Sequence, residues 1–230
     1  MTGDVKLDAK TKIGVLGAGA MGSGIAQVAA SAGHDVVVVD ASPPSIEKAR
    51  LGIQKALKRL VEKGTIASDM AQVVERRLTF VGVSGDYSPF RGCGLVIEAI
   101  VEDLDAKQRA FRGIEHVVDA GAVLATNTSS LSVAAIASAC AHPGRVIGVH
   151  FFNPAPVLPL VEIVGALTSD ASAVTAARGL VDRWGKVTVL ASDTPGFIVN
   201  RVARPFYSES LRVLEERMAS VATIDWALKE

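Results

Sequence analysis

KIGVLGAGAMG, Lys12–Gly22, passes from an apolar run into glycines at 17, 19 and 22, with Ala18, Ala20 and Met21 between them. Lys12–Gly17 reads as a short buried strand, and the small residues of Met21–Ala32 predict a helix packed closely against it. Asp35–Asp40 (DVVVVD) is a second strand, rich in β-branched residues and ending on an acid. Strand, glycines, helix and strand give G-x-G-x-x-G a context in which each glycine has a task. Gly17 permits the tight turn, Gly19 lets backbone approach a pyrophosphate, and Gly22 lets helix and strand close up. The pyrophosphate would rest on unpaired N–H groups at the helix N-terminus.

Asp40 lies eighteen residues beyond Gly22. An acid at the end of the second strand accepts hydrogen bonds from ribose hydroxyls and repels a 2′-phosphate, which favours NAD over NADP. Its alternative role is to N-cap the following helix.

Outward from this unit, strands alternate with helices. Residues 1–11 form a polar lead-in. Pro43-Pro44 opens a helix with apolar spacing at Ile46, Ala49, Ile53, Leu57 and Leu60, ended by Gly64. A helix over Asp69–Arg76 follows. Strands are expected at Leu78–Val81, Leu95–Ile100, Val123–Thr126, Val146–Phe151, Leu160–Val164 and Lys186–Leu190. Helices are expected at Asp103–Val118, Val133–Cys140 and Ala171–Trp184. This alternation predicts an α/β fold with a Rossmann-like, doubly wound, mostly parallel sheet over residues 1–193. After Asp193-Thr-Pro-Gly196 the pattern becomes one long helix, Phe197–Met218, and another from Thr223. Residues 194–230 thus read as the beginning of an all-helical C-terminal domain. A helix ending at Lys229-Glu230 is expected to belong to a longer protein or to pack on a partner chain.

Composition narrows the partners. The chain is 49% hydrophobic with 24 basic and 24 acidic residues, so it supports a large core and lacks the basic excess of a nucleic-acid binder. No apolar run reaches the length of a membrane span, and the N-terminus lacks the apolar core of a signal peptide. Cys93 and Cys140 have no C-x-x-C or metal-ligand spacing. A lone disulfide between them is one reading; two buried thiols in a reducing cytoplasm are the expectation.

The chemistry clusters at strand ends. His150 closes a strand, at the edge where doubly wound sheets bind ligands, and can take an alcohol proton as hydride leaves the same carbon. Glu162 on the next strand could hold its second ring nitrogen. Ser129 and Asn200 could each hydrogen-bond a substrate oxygen. Ser129 and Ser130 could equally N-cap a helix, and Asn200 could be a solvated helix residue. His34, His116 and His142 read as structural or solvated. Lys55, Lys58, Arg59 and Lys63 lie opposite an apolar stripe, as a solvated face or a clamp for the phosphates of a large anion. Glu98, Glu102 and Lys107 bracket the end of the Leu95–Ile100 strand.

GVLGAGAMGSGIAQVAA, EAIVED, NTSSLS, GVHFFNPAPVLPLVEI and DTPGFIVNR occur in that order. Together they resemble the L-3-hydroxyacyl-CoA dehydrogenase family, from Lys12 to about residue 228. The resemblance implies His150 as catalytic base, Glu162 as its partner, and Ser129 and Asn200 on the substrate oxygens. It implies Gly17 to Gly22 and Asp40 for the adenosine half of NAD, and Glu102, Lys107, Asn127 and Asn153 for the nicotinamide half. Lys63 matches a CoA-contacting lysine, whereas Ala56 replaces a CoA-binding serine of animal members. A homodimer is implied for the full-length protein and a cytoplasmic, bacterial-type setting for the chain. RVARPFYSESLRVLEE is also similar to bacterial two-module forms linked to phenylacetate degradation, so 3-hydroxybutyryl-CoA and 3-hydroxyadipyl-CoA are both conceivable substrates.

The expected activity is NAD-dependent oxidation of (S)-3-hydroxyacyl-CoA to 3-oxoacyl-CoA. Alternatives are a dehydrogenase of a non-CoA hydroxy acid and a catalytically inactive NAD-binding module. The 6-phosphogluconate-like dehydrogenases share the fingerprint but use a helix-borne lysine base, where this chain offers a strand-end histidine.

Overall fold

The computed structural model describes residues 5–82 and 84–229. Met1–Asp4 of the lead-in and Glu230 lie outside the described residues. Among the described residues eight strands and eight α-helices follow in chain order: β1 (Lys12–Leu16), α1 (Ala20–Ser31), β2 (Val36–Asp40), α2 (Pro43–Glu62), α3 (Ser68–Arg76), β3 (Leu78–Gly82), β4 (Cys93–Glu98) and α4 (Leu104–Glu115), then β5 (Val123–Thr126), α5 (Val133–Ala137), β6 (Val146–Phe151), β7 (Leu160–Gly165), α6 (Ala171–Arg183), β8 (Val187–Ser192), α7 (Val199–Glu215) and α8 (Val221–Ala227).

One sheet contains all eight strands in the order β3-β2-β1-β4-β5-β6-β7-β8. Strand order reverses between β1 and β4, and the crevice at such a switch point is where doubly wound sheets take ligands. The first six strands are parallel, whereas β7 runs antiparallel to β6. The connection 152–159 contains no helix. Antiparallel pairing needs none, whereas a parallel return requires a crossover of a dozen or more residues. β8 pairs parallel to β7 because α6 supplies that crossover.

Strands β1, β2, β4, β5 and β6 are buried almost throughout, as expected with helices on both faces. One face packs Ile13, Val15, Val36, Val38, Leu95, Ile97 and Ile147 against residues of α1, α2 and α6. The other packs Leu16, Val37, Val39, Val96, Leu124 and Val146 against α4 and α5. Ala49, Ile53 and Leu57 of the α2 stripe are buried, while Lys55, Lys58, Arg59 and Lys63 of the opposite side are exposed.

Several boundaries differ from the sequence expectation for local reasons. The strand expected to reach Ile100 ends at Glu98, whose own carboxylate accepts the Ile100 amide at 2.7 Å and turns the chain. The helix expected over Val133–Cys140 ends at Ala137, and Asp103 is the N-cap of α4 rather than its first residue. The long helix expected over Phe197–Met218 spans Val199–Glu215, because Phe197 (φ +44) and Arg217 (φ +57) both hold left-handed backbone. Neither α7 nor α8 buries a residue, and Val202, Phe206, Leu211 and Trp226 stand exposed.

Cys93 and Cys140 are free and buried, and burial pushes both thiols up to about 11. A thiol held this far above its ordinary range carries almost no thiolate at pH 8. Iodoacetamide at pH 8 should leave both cysteines unmodified in the native protein and alkylate both in denaturant, read by intact mass.

Candidate active site

The glycine turn contains one open position between two closed ones. A Cβ added at Gly22 would lie 1.9 Å from the Gly17 carbonyl oxygen, and one at Gly17 would lie 2.5 Å from that of Ala99. Gly17 is also held at φ +101. At Gly19 a Cβ would meet nothing within 4 Å. The outer glycines are therefore needed by the fold itself, while the middle one leaves room for a ligand to approach backbone. Gly19 is the N-cap of α1, and no side chain caps that end. Its first N–H groups remain available to an anion.

Beside this turn lies a cavity of about 590 Å³ lined by Gly17, Gly19, Asp40, Ser45, Tyr87 and Ile100, among others. Asp40 accepts the Ala18 amide at 2.7 Å through Oδ2 and the Ser42 amide at 2.8 Å through Oδ1. The helix-capping alternative for Asp40 is not what forms, since Ser42 is the N-cap of α2 and accepts from Ser45. Ala20 is the first residue of α1, and Met21 reaches a second cavity.

That second cavity, about 340 Å³, is lined by Met21, Ala99, Ile100, Glu102, Lys107, Asn127, Ser129, His150, Phe151, Phe152 and Asn153. It shares Ala99 and Ile100 with the first, so the two lie side by side along the sheet edge. Six residues expected at or near a nicotinamide half or as catalytic groups thus border one space: Glu102, Lys107, Asn127, Ser129, His150 and Asn153.

The register of β6 on β7 sets His150 directly opposite Glu162. Their side chains meet at 2.6 Å between Nδ1 and Oε2. Glu162 is 0% exposed and His150 is 5% exposed, so the pair sits out of water. The other carboxylate oxygen of Glu162 accepts the Ile198 and Val199 amides, each at 2.9 Å, at the start of α7. Phe152 and Phe197 rings flank the imidazole at 4.6 and 5.5 Å between centroids. With Nδ1 committed, Nε2 is the ring nitrogen left for a reacting group at the cavity.

A second acidic cluster shapes the NTSS turn. Lys107, 1% exposed, lies 2.6 Å from Glu98 and 3.3 Å from Glu102. Glu98 also accepts Thr126 Oγ1 at 2.7 Å. Glu102 Oε1 accepts the hydroxyls of Thr128 and Ser130 and the amides of Ser129 and Ser130. Burial alone would raise the Glu102 carboxyl, but the Thr128 hydroxyl, the Lys107 ammonium and the Ser130 hydroxyl outweigh it and hold it below its ordinary value. Asn127 Oδ1 accepts the Phe151 amide at 2.8 Å, tying the end of β5 to the end of β6.

Ser129 and Ser130 are not helix caps. Ser132 is the N-cap of α5, accepting from Ala135 at 3.3 Å. Asp193 completes that cap by accepting the Val133 and Ala134 amides, each at 2.8 Å, and the Ser132 hydroxyl. In the sequence Asp193 marks only the start of the DTPG segment, because a partner some sixty residues away leaves no local trace. Asn200 follows Val199 on the first turn of α7 and does not line the cavity that His150 borders. Lys63 is the exposed C-cap of α2 and lines neither cavity. The remaining histidines are structural or peripheral in position: His34 is buried with Nδ1 2.8 Å from the Thr11 carbonyl oxygen, and His116 is the C-cap of α4.

A doubly wound sheet with an open glycine turn at its switch point and a buried His–Glu pair beside it defines a dinucleotide-dependent oxidoreductase. Residues 12–194 match the 3-hydroxyacyl-CoA dehydrogenase, NAD binding domain, and residues 196–230 match the 3-hydroxyacyl-CoA dehydrogenase, C-terminal domain. The chain belongs to the 3-hydroxyacyl-CoA dehydrogenase family, and NAD is the cofactor of its nucleotide-binding domain.

It is 44% identical over 218 residues to a 3-hydroxyadipyl-CoA dehydrogenase of Escherichia coli, covering 95% of this chain and 45% of that protein. It is 41% identical to a 3-hydroxybutyryl-CoA dehydrogenase of Mycobacterium tuberculosis, covering 96% of this chain and 77% of that one. The crystal structure of the (S)-3-hydroxybutyryl-CoA dehydrogenase of Ralstonia eutropha superposes with a TM-score of 0.89 at 33% identity, over 93% of this chain and 75% of that one. The chain thus spans less than half of the first of these relatives and about three quarters of the other two.

Two variants separate structural from ligand-facing glycines. Gly22→Ala should lower Tm by several degrees, since overpacking costs about 1–3 kcal/mol and each kcal/mol moves a chain of this size by about 2–4 °C. Gly19→Ala should leave Tm unchanged and weaken NADH binding, followed by NADH fluorescence. Glu102→Gln should lower Tm at neutral pH. Because the folded carboxyl sits below its ordinary value, its stabilising charge is present above about pH 4 and lost as pH falls further. The gap between wild type and this variant should therefore close in acid, measured by thermal melts across a pH series.

Proposed function

We propose that this chain carries the nucleotide-binding and catalytic residues of an enzyme that converts (S)-3-hydroxyacyl-CoA to 3-oxoacyl-CoA, reversibly. The observation that carries this reading is the buried His150–Glu162 pair, with His150 lining a cavity that adjoins the glycine turn and its Nδ1 committed to Glu162. A secondary alcohol bound there loses its hydroxyl proton to His150 Nε2 while hydride leaves C3. Bound NAD supplies the hydride acceptor.

Glu162 keeps Nδ1–H fixed and stabilises the positive charge that develops on the imidazole. The carboxylate needs no reorganisation, because two α7 amides already hold its second oxygen. Ser129 positions the substrate oxygens from the cavity wall, and Asn200 would join it from the first turn of α7, outside that wall. Lys107 and Glu102 shape the wall beside the nicotinamide ring, with Asn127 and Asn153 next to it. Asp40 takes the adenosine ribose, and Lys63 meets CoA phosphates at the exposed end of α2.

In this reading residues 1–193 form the NAD-binding domain and residues 194–230 begin the helical domain. The full-length protein is a cytoplasmic homodimer. Among the described residues no helix is long and apolar enough to cross a membrane. Both the 3-hydroxybutyryl and the 3-hydroxyadipyl thioester fit the relatives' names, and the acyl chain is what distinguishes them.

His150→Gln should lower NADH-linked reduction of acetoacetyl-CoA by at least about a hundredfold, the lower end of what a positioned general acid–base contributes. NADH binding should be unchanged. Retained turnover would remove His150 from the mechanism. The wild type should reduce acetoacetyl-CoA far faster than free acetoacetate; the reverse order would replace the CoA thioester with a small hydroxy acid as substrate.

A further inference from the structure

The chain between β6 and β7, residues 152–159, brings Phe152 and Asn153 to the wall of the His150 cavity and returns without a helix. The Phe152 ring lies 4.6 Å from the imidazole. Beyond Asn153 the loop is held from two sides. On one side it lies against α1: Ala155 is buried, and a Cβ added at Gly24 would come within 3.2 Å of both Ala155 Cβ and Pro156 Cδ. On the other side Lys186, between α6 and β8, donates through Nζ to the Ala155 carbonyl at 2.6 Å and to the Leu158 carbonyl at 2.9 Å.

Sheet pairing does not account for this cation. The Val187 amide donates to the Pro159 carbonyl at 2.9 Å and already ties the far end of the loop to β8. Within the loop the Val157 and Leu158 amides both donate to Pro154, each at 3.0 Å. Among the described residues only Lys186 donates to the Ala155 and Leu158 carbonyls from outside the loop. Burial holds its ammonium below the ordinary range, with no carboxylate to offset the effect. An ammonium has only donors to offer, and here they serve backbone oxygens rather than an ion pair. Such charge-assisted bonds are about twice as strong as neutral ones. They fix the chain at Ala155, just after Asn153. Lys186 itself lines neither cavity of the site.

We propose that Lys186 is a positioning residue for hydride transfer: it presses the 152–159 loop onto α1 and so keeps Phe152 and Asn153 at the nicotinamide end of the cofactor site. The inference rests on the placing of the nicotinamide in the His150 cavity. Without the ammonium the loop retains its contacts with α1 and its Pro159 anchor, but its beginning is free to shift. The adenosine half, on the glycine turn and Asp40, is untouched. A misplacement of about 1 Å at the reacting end can slow the chemistry by roughly a hundredfold.

The test compares NADH with ADP-ribose, which shares the adenosine half and the pyrophosphate but lacks the nicotinamide ring. Binding of each is measured by calorimetry for wild type, Lys186→Met and Lys186→Arg, beside kcat and KM for NADH-linked reduction of acetoacetyl-CoA. Lys186→Met should weaken NADH about tenfold, the scale of hydrogen bonds to a charged donor, and leave ADP-ribose within about twofold. Its kcat should fall by about ten- to a hundredfold with little change in KM for acetoacetyl-CoA. Lys186→Arg keeps the charge and the donors and should recover most of both losses. If Lys186→Met does not fold, Lys186→Gln, uncharged but still a donor, carries the same comparison.

Equal weakening of NADH and ADP-ribose would make Lys186 a general support of the sheet edge and overturn the assignment. So would a Lys186→Met protein with unchanged NADH affinity and unchanged kcat. A wild type that binds NADH but does not reduce acetoacetyl-CoA would remove the 3-hydroxyacyl-CoA reading, and the two binding constants would then decide the Lys186 assignment by themselves.

Discussion

Glu162 is a carboxylate removed completely from water, and the arrangement of the site depends on how its two oxygens are used. Isolated burial of such a charge would cost several kcal/mol. Here one oxygen faces the His150 imidazole and the other receives two amides at the start of α7. The strand register makes this possible, since β7 runs antiparallel to β6 and pairs Glu162 with His150. A slip of one residue would turn the carboxylate to the opposite face of the sheet and leave the imidazole without its partner. The same group thus fixes the tautomer of the base and the entry of the chain into α7.

This use of acids recurs along the C-terminal edge of the sheet. Asp40 receives the Ala18 and Ser42 amides, Glu98 that of Ile100, Glu102 those of Ser129 and Ser130, and Asp193 those of Val133 and Ala134. Each carboxylate satisfies N–H groups that would otherwise be orphaned where a strand gives way to a loop or a helix begins. The loops that meet ligands are consequently held from below by charge-assisted hydrogen bonds. Lys107 allows two of these acids to lie close together, since its ammonium is shared by Glu98 and Glu102. A positively charged, nearly dry side chain next to the proposed nicotinamide wall is a consequence of that arrangement.

The glycine turn illustrates how two requirements occupy one motif. Gly17 and Gly22 answer to packing, because their missing Cβ atoms would collide with backbone carbonyls. Gly19 answers to the ligand, because the space beside it is empty of protein. Affinity for a dinucleotide can therefore change at Gly19 without the fold changing, and the converse holds at Gly22.

The amino-acid sequence alone determined the order of strands and helices, the glycine turn, the acid closing β2 and the residue types gathered at strand ends. Local periodicity and short motifs suffice for these because each is a property of neighbours in the chain. The family was legible for the same reason, in five ordered segments. Element ends were less legible: Phe197 and Arg217 trim α7 through left-handed backbone that no pattern of apolar residues announces. Ser132 and Asp193 jointly cap α5 where Ser129 and Ser130 were equally eligible from spacing. Only tertiary structure decided that His150 touches Glu162, that Glu102 organises the NTSS turn, and that Lys107 lies dry between two acids. Those relations join residues brought together by strand register and by α4 packing on the sheet, and hydrogen bonds across such distances are set by three-dimensional closure rather than by spacing in the chain.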